Sequence, residues 1–317
     1  MEHYAPPWEH GFETCFSTEA KVPTFDPLIT PPREHGGVGA NLTPGEPFGT
    51  AYWTGPGQQV TEDLRGDDST LIMDRALEFV TDSANKERPF FAVVWLHAPH
   101  LPILASEARA QRFADRPLKE RHYLASLEAV DDNIGKLRRH LRELGLGDDT
   151  LVWFTSDNGP ESGPDSGLGS TGPFSGRKRS LKEGGVRVPG LLEWPARFAP
   201  ARIEAAAGTL DILPTVLAAL DLPGSDARLD GIDLGPLLRG ERRHREQPMG
   251  FLYRGAQAWS EGSWKIHRTS DQPFALCHLD QDPGETNDLA GRHPQRVSEL
   301  REDLEAWVAS LPNGDSP

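Results

Sequence analysis

Thr150-Leu151-Val152-Trp153-Phe154-Thr155-Ser156-Asp157-Asn158-Gly159 is an apolar and β-branched run that stops abruptly in a polar turn. A continuous run of this length, closed by turn residues, predicts a strand buried on both faces. Upstream, Pro89 and Pro99 bound a second run, Phe90-Phe91-Ala92-Val93-Val94-Trp95-Leu96, which reads the same way. Between the two, Tyr123, Leu127, Val130, Ile134, Leu137, Leu141 and Leu144 alternate spacings of four and three. That is one apolar face of a long helix, and Gly145 and Gly147 stop it. Strand, helix and strand joined by a right-handed crossover make a parallel sheet. The fold class expected is therefore α/β, a mostly parallel sheet sandwiched by helices. Ligands of such sheets lie at the carboxyl ends of the strands, where Ser156-Asp157-Asn158-Gly159 and His97-Ala98-Pro99-His100 both fall.

Outward from this centre, Asp68-Ser69 can cap a helix carrying Ile72, Ala76, Leu77 and Val80 and ending before Pro89. Residues 1–66 are rich in Pro, Gly and His. They are far longer than the ~12–15 residues usual for a structureless loop, so they need a body to wrap. A Gly/Ser-rich loop, Gly159 to Gly176, leads to the basic cluster Arg177, Lys178, Arg179, Lys182, Arg187 and to Glu183-Gly184-Gly185-Val186-Arg187-Val188-Pro189. An apolar stretch (Gly190 to Trp194) follows, then a helix over Leu210 to Leu220 with Pro214 near its first turn. From about Arg245 the texture changes to short strand-like pieces, Met249 to Tyr253, Ser263 to His267 and Ala275 to Leu279. A helix with Val297, Leu300, Leu304, Trp307 and Val308 on one face ends the chain. The expected division is a main α/β domain over 1–244 and a small α+β subdomain with a short antiparallel sheet over 245–317.

The chain has 317 residues, with 33 Lys and Arg against 48 Asp and Glu, a formal charge of -15. That balance argues against nucleic acid or an anionic membrane as the main partner. No apolar run approaches the ~18 residues that span a bilayer. Cys15 and Cys277 are too few for a disulfide framework. Met1-Glu2-His3-Tyr4-Ala5-Pro6-Pro7 has neither a basic n-region nor an apolar h-region, so no signal peptide is readable and the compartment stays open.

Three motifs can carry chemistry. Asp157-Asn158 offers a carboxylate and an amide carbonyl, the oxygen donors that hard cations such as Ca²⁺ or Mg²⁺ prefer; an Asx turn is the plainer reading. His100, stiffened by two prolines, can donate to an anionic oxygen or act as general acid, or simply be satisfied in a loop. Lys178 can neutralise charge on an ester's leaving oxygen, although a basic run is commonly a solvated surface. Their convergence on one sheet edge favours a shared anion and metal site.

The stretches HGFETCFST (10–18), FFAVVWLHAPHLP (90–102), LVWFTSDNGPE (151–161), GRKRSLKEGGVRVPGLLEWP (176–195), DILPTVLAALDLP (211–223) and HLDQDPGETNDLA (278–290) together resemble the sulfatase family of the alkaline-phosphatase-like superfamily. The resemblance implies an alkaline-phosphatase-like fold and hydrolysis of sulfate esters, those of carbohydrates ahead of aryl sulfates. It implies that Asp157 and Asn158 ligate the divalent metal, calcium in most members with magnesium as the alternative. His100 would contact the sulfate or leaving oxygen and Lys178 would bind sulfate, with Arg177 assisting by position. It also implies a formylglycine nucleophile made within C/S-x-P/A-x-R, and here the sequence departs. Cys15 is followed by Phe16-Ser17-Thr18-Glu19, and the paired N-terminal aspartates and the Gly-Lys-x-His-Leu-Gly segment are absent. The expectation is that the chain begins just after that segment, and that the missing N-terminal part would hold the formylglycine and be a partner. Two other readings follow: an inactive remnant or binding module, and a phosphatase or phosphodiesterase of the same superfamily, against which Asn158 speaks because an amide oxygen suits one hard cation better than zinc. The expected partner is a sulfated small molecule or glycan. The resemblance suggests a periplasmic or secreted location, as for most relatives.

Overall fold

The structure is a computed structural model that describes residues 6–162, 168–224 and 229–311. The first five residues and the middle of the 159–176 loop lie outside the described residues. The chain divides into two compact units, residues 1–150 with 163–168, and residues 151–162 with 169–317.

In the first unit the long N-terminal segment forms a small antiparallel sheet of β1 (Ser17–Thr18), β2 (Tyr52–Trp53) and β3 (Gln59–Val60). Val22, Tyr52 and Leu64 are its buried core, with Phe16, Leu28 and Val60 packed on them. Then come α1 (Asp68–Asn85), α2 (Glu107–Ala110) and α3 (Leu118–Glu143). The cap of α1 is Asp67, one residue before the expected Asp68-Ser69: its carboxylate accepts from Thr70 N at 3.0 Å and Thr70 Oγ1 at 3.1 Å. Asp68 and Ser69 are instead buried in the first turn.

The helix α3 buries only part of the face its leucines predict. Leu141 is buried, but so are His122, Ala125, Ser126, Ala129 and Asn133 off that stripe, whereas Leu127 is exposed. Small residues let α1 approach closely, and Asn133 Nδ2 bridges to Thr70 Oγ1 at 3.0 Å and to Ala129 O at 2.8 Å. Residues 90–96 also depart from expectation. They form no ladder among the described residues, and Phe91 and Trp95 are 56% and 83% exposed. An apolar run becomes a buried strand only where neighbours pair its edges and cover its faces.

The second unit opens with β4 (Val152–Thr155), continues through α4 (Glu183–Val186), and pairs β4 with β5 (Gly190–Glu193). This pairing is antiparallel, with Val152 opposite Glu193 and Thr155 opposite Gly190; the parallel partner expected of β4 was residues 90–96, which form no ladder among the described residues. The chain reverses through the basic loop and Val188-Pro189, so β5 returns alongside β4. Next come α5 (Ile212–Ala219) and α6 (Gly235–Leu238). A four-stranded antiparallel meander follows, β6 (Met249–Tyr253), β7 (Ala256–Glu261), β8 (Trp264–Arg268) and β9 (Ala275–His278), covered by α7 (Pro294–Ser310). Its core is Trp259, Ile266, Leu276, Leu300 and Leu304, with Val297, Trp307 and Val308 packed on it, the helix face its sequence predicts. No helix among the described residues is long and apolar enough to cross a membrane.

Leu304 is fully buried in this core, so Leu304→Ala is expected to cost ~2–5 kcal/mol, read by urea unfolding. On β8, burial and then the charges of Lys265 and Lys182 push the His267 imidazole down to about 4. Between about 4 and an unfolded value of 6.5 the unfolded chain binds the extra proton. The contribution is fully present above that upper value and is lost as pH falls towards the lower one, up to ~3 kcal/mol. Unfolding measured at pH 7 and pH 5 should show this loss in the wild type and a smaller one in His267→Gln.

Candidate functional site

β4 ends at Thr155, and the chain turns at once through Ser156-Asp157-Asn158-Gly159. Ser156 Oγ donates to Asn158 O at 3.2 Å, which shapes the turn. Gly159 is buried, and its N–H donates to Gly185 O at 2.9 Å. A Cβ there would lie 2.0 Å from Gly184 O, so only glycine fits. The same holds across the contact. A Cβ on Gly184 would lie 2.3 Å from Gly176 O, and one on Gly185 2.0 Å from Ser180 O. Gly184 N donates to Ser175 O at 2.7 Å, and Lys178 N donates to Pro160 O at 3.0 Å. Three glycines thus allow backbone to lie on backbone, and the turn after β4 and the basic loop become one assembly.

This assembly carries four of the residues expected at the site. Asp157 is exposed and Asn158 half-buried, and neither side chain makes a hydrogen bond or ion pair among the described residues. Both oxygen donors therefore remain available to a ligand. By donor chemistry they fit a hard divalent cation and supply two of the ~6–8 oxygens that calcium takes. Arg177 is occupied locally: its Nε donates to Glu161 O at 2.9 Å and its Nη2 to Gly169 O at 3.2 Å. Arg179 forks onto the Glu161 carboxylate, with Nη2 2.9 Å from Oε2. That pair holds the Glu161 carboxyl below the usual carboxylate range. Lys178 makes no hydrogen bond or ion pair among the described residues, and neither does the half-buried Lys182 side chain, so both cations of the loop are left for an anion. Lys178 lines an open cavity of about 510 Å³ with Ser162, Thr171, Phe174, Arg177 and Ser180.

His100 belongs to the first unit and is exposed. Its backbone N–H donates to His97 O at 2.6 Å, and its Nδ1 lies 2.7 Å from Leu101 O. A carbonyl only accepts, so Nδ1 carries the proton and Nε2 is the atom that exchanges one. The loop is pinned at both ends. Downstream, Thr24 Oγ1 donates to Leu104 O at 2.7 Å and accepts from Leu104 N at 2.8 Å. Upstream, His97 Nδ1 lies 2.8 Å from the wholly buried Asp68 carboxylate and its Nε2 3.1 Å from Thr18 Oγ1. Tyr52 donates to Asp68 from the other side. Burial, then the Asp68 charge, push the Tyr52 hydroxyl far above its ordinary value. In the sequence Asp68 reads as a helix cap and His97 as a neighbour of His100, and no local pattern signals a pairing across 29 residues.

The cysteines do not fit the formylglycine that the resemblance implies. Cys277 is buried and is followed by His278-Leu279-Asp280-Gln281, and no C/S-x-P/A-x-R occurs in the 317 residues.

Residues 11–222 match the model of the family described as Sulfatase. Human arylsulfatase A is 32% identical over 259 residues, which cover 72% of this chain and 50% of that protein. Mouse steryl-sulfatase is 36% identical over 263 residues, 70% of this chain and 41% of that one. The chain spans about half the length, or less, of these curated relatives. Among solved structures, Ps i-CgsB in complex with k-i-k-neocarrahexaose matches with a TM-score of 0.79 and 26% identity, over 95% of this chain and 67% of that one. The fold is accordingly the α/β, alkaline-phosphatase-like fold of these proteins, with an antiparallel C-terminal sheet.

Gly159→Ala is expected to push the Asp157-Asn158 turn off Gly184 and weaken cation binding about tenfold or more. Terbium luminescence, with Tb³⁺ in place of Ca²⁺, would measure it; an unchanged affinity would show that the glycine contact does not set the turn.

Proposed function

Because this chain belongs to the sulfatase family, we propose that it carries the metal-side and anion-side residues of a sulfate ester hydrolase acting on sulfated carbohydrate. The observation that supports this most is the pairing of uncommitted groups on one rigid backbone assembly. Asp157 and Asn158 present oxygens without protein partners, and Lys178 presents an ammonium without one, while the neighbouring Arg177 and Arg179 are spent on Glu161 and on backbone carbonyls.

The roles follow from the chemistry of each group. Asp157 and Asn158 would hold calcium, with magnesium the alternative, and such a cation when bound screens the charge on sulfate oxygens. Lys178 would bind the sulfate by a charge-assisted hydrogen bond, with Arg177 shaping the loop around it. His100, with its Nδ1 proton committed to Leu101 O, would give or take a proton at Nε2 beside the leaving oxygen. The glycan preference is supported by relatives whose names specify sulfated sugars. N-acetylgalactosamine-6-sulfatase of Mus musculus is one, and the carrahexaose-bound structure points the same way. Division of the chain at residues 244 and 245 remains part of the proposal.

A second reading has its own observation. With no C/S-x-P/A-x-R in the 317 residues, we propose that these residues alone bind a sulfated ligand without hydrolysing it.

Calorimetric titration of this chain with Ca²⁺ and with a sulfated oligosaccharide tests both. Asp157→Ala should abolish the cation response and Lys178→Ala should weaken the oligosaccharide about tenfold or more, the worth of one charge-assisted hydrogen bond. Ion chromatography should find no released sulfate. Binding indifferent to both substitutions would refute the site, and calcium-dependent sulfate release would refute the binding-only reading.

A further inference from the structure

Beneath the glycine assembly lies a buried group of charges. Lys265, on β8, has no exposed surface, and its Nζ is 2.7 Å from Glu183 Oε1 and 3.1 Å from Glu285 Oε1. The other oxygen of Glu285 accepts the backbone N–H of Glu183 at 2.6 Å. Glu183 Oε2 faces the half-exposed Arg187 at 3.5 Å. Glu285 is held in a left-handed conformation, φ +52, within a turn built on Asp282, which accepts from Thr286 N and Asn287 N, both at 2.8 Å. His267 and Cys277 border the group, with His267 Nε2 3.9 Å from Glu285 Oε1 and 3.8 Å from Cys277 Sγ. These three side chains are spaced like metal ligands. The cation of the cluster, however, is the Lys265 ammonium itself.

Glu183 is the residue immediately before Gly184 and Gly185. Whatever fixes Glu183 therefore fixes the backbone on which Gly159 and Ser175 rest. A path of direct bonds runs from the C-terminal sheet outward: Lys265 Nζ to Glu183, Gly184 N to Ser175 O, Gly185 O to Gly159 N, and Lys178 N to Pro160 O. Ser175 Oγ adds a bond to Gly284 O, one residue before Glu285.

We infer that Lys265 and Glu285 are positioning residues, a buried ion pair through which the C-terminal sheet sets Asp157, Asn158 and Lys178 in place. This rests on the sulfate and metal reading of those three residues. Well-packed apolar side chains commonly stabilise as well as a buried ion group does, whereas only directional acceptors and a donor fix a backbone amide and a carboxylate.

The test uses the full chain carrying Lys265→Met with Glu285→Gln. The double change removes one charge of each sign, leaves Glu183 opposite Arg187, and keeps an amide oxygen for Glu183 N. Hydrogen exchange by mass spectrometry should show segments 156–162 and 175–187 exchanging at least about tenfold faster, with β6 to β9 as protected as in the wild type. Tb³⁺ and inorganic sulfate should each bind about tenfold more weakly. If the double variant does not fold, Glu285→Gln alone is read in the same way. Unchanged exchange in both segments of a folded variant overturns the inference, as does faster exchange with undiminished binding. If the wild type binds neither Tb³⁺ nor sulfate, the reading of the site fails, and the exchange result alone then decides the tether.

Discussion

Backbone lies on backbone at Gly159, Gly184 and Gly185, closer than any side chain would permit, and the local order of the second unit follows from that contact. A turn of four residues at a strand end has many conformations, and each one fixed costs conformational entropy. Here the Gly159 N–H, the Gly184 N–H and the Lys178 N–H are satisfied by carbonyls of the facing segment. Because main-chain groups do this work, the side chains of Asp157, Asn158 and Lys178 are relieved of it. With the backbone already fixed and no protein partner to displace, binding costs these side chains only their own rotamer freedom.

Electrostatics divides the same region into spent and unspent charge. The chain carries a formal -15, yet the loop 177–182 is basic, and isolated positive charge there would repel itself. The structure disposes of most of it. Arg179 is taken by Glu161, Arg177 by two carbonyls, and Arg187 lies over the Phe174 ring, 4.7 Å from its centroid, as well as near Glu183. Lys178 and Lys182 are what remains. Deeper in, the Lys265 ammonium lies between Glu183 and Glu285, and Glu285 Oε1, which makes no hydrogen bond, is answered by that charge at 3.1 Å, consistent with the cost of burying charge unpaired.

Much of this was legible in the sequence, for identifiable reasons. Period and breakers located α1, α3, β4 and three of the four C-terminal strands, and in α1 and α7 the apolar pattern and the packing agree as well. Residues 90–96 show where pattern stops being enough: their apolarity is local, but burial depends on what covers them. On α3 the leucine stripe was conspicuous and the small-residue stripe was not, yet close helix approach needs small residues. Asp157, Asn158 and Lys178 were found because strand ends and basic loops are marked by composition. Lys265 was hidden because Trp264-Lys265-Ile266 alternates, and a lysine in an alternating strand reads as the wet face. Its burial becomes intelligible only with Glu183 and Glu285, which are distant in sequence. His97 was overlooked beside His100 for the same reason, since its partner Asp68 lies in another element.

The two cysteines close the account of which chemistry this chain supplies. A thiol becomes a nucleophile when its environment favours thiolate, through a nearby cation or a protonated histidine. At Cys277 the environment acts in the opposite sense, burial and the Glu285 charge pushing the thiol up to about 11. Its neighbour His267 is pushed down to about 4, so the pair is held as thiol and neutral imidazole, far from thiolate and imidazolium. Burial raises Cys15 as well. Both thiols are thereby kept protonated. On the proposed reading Asp157 would attract a cation and Lys178 an anion, with bond-making chemistry assigned to neither cysteine.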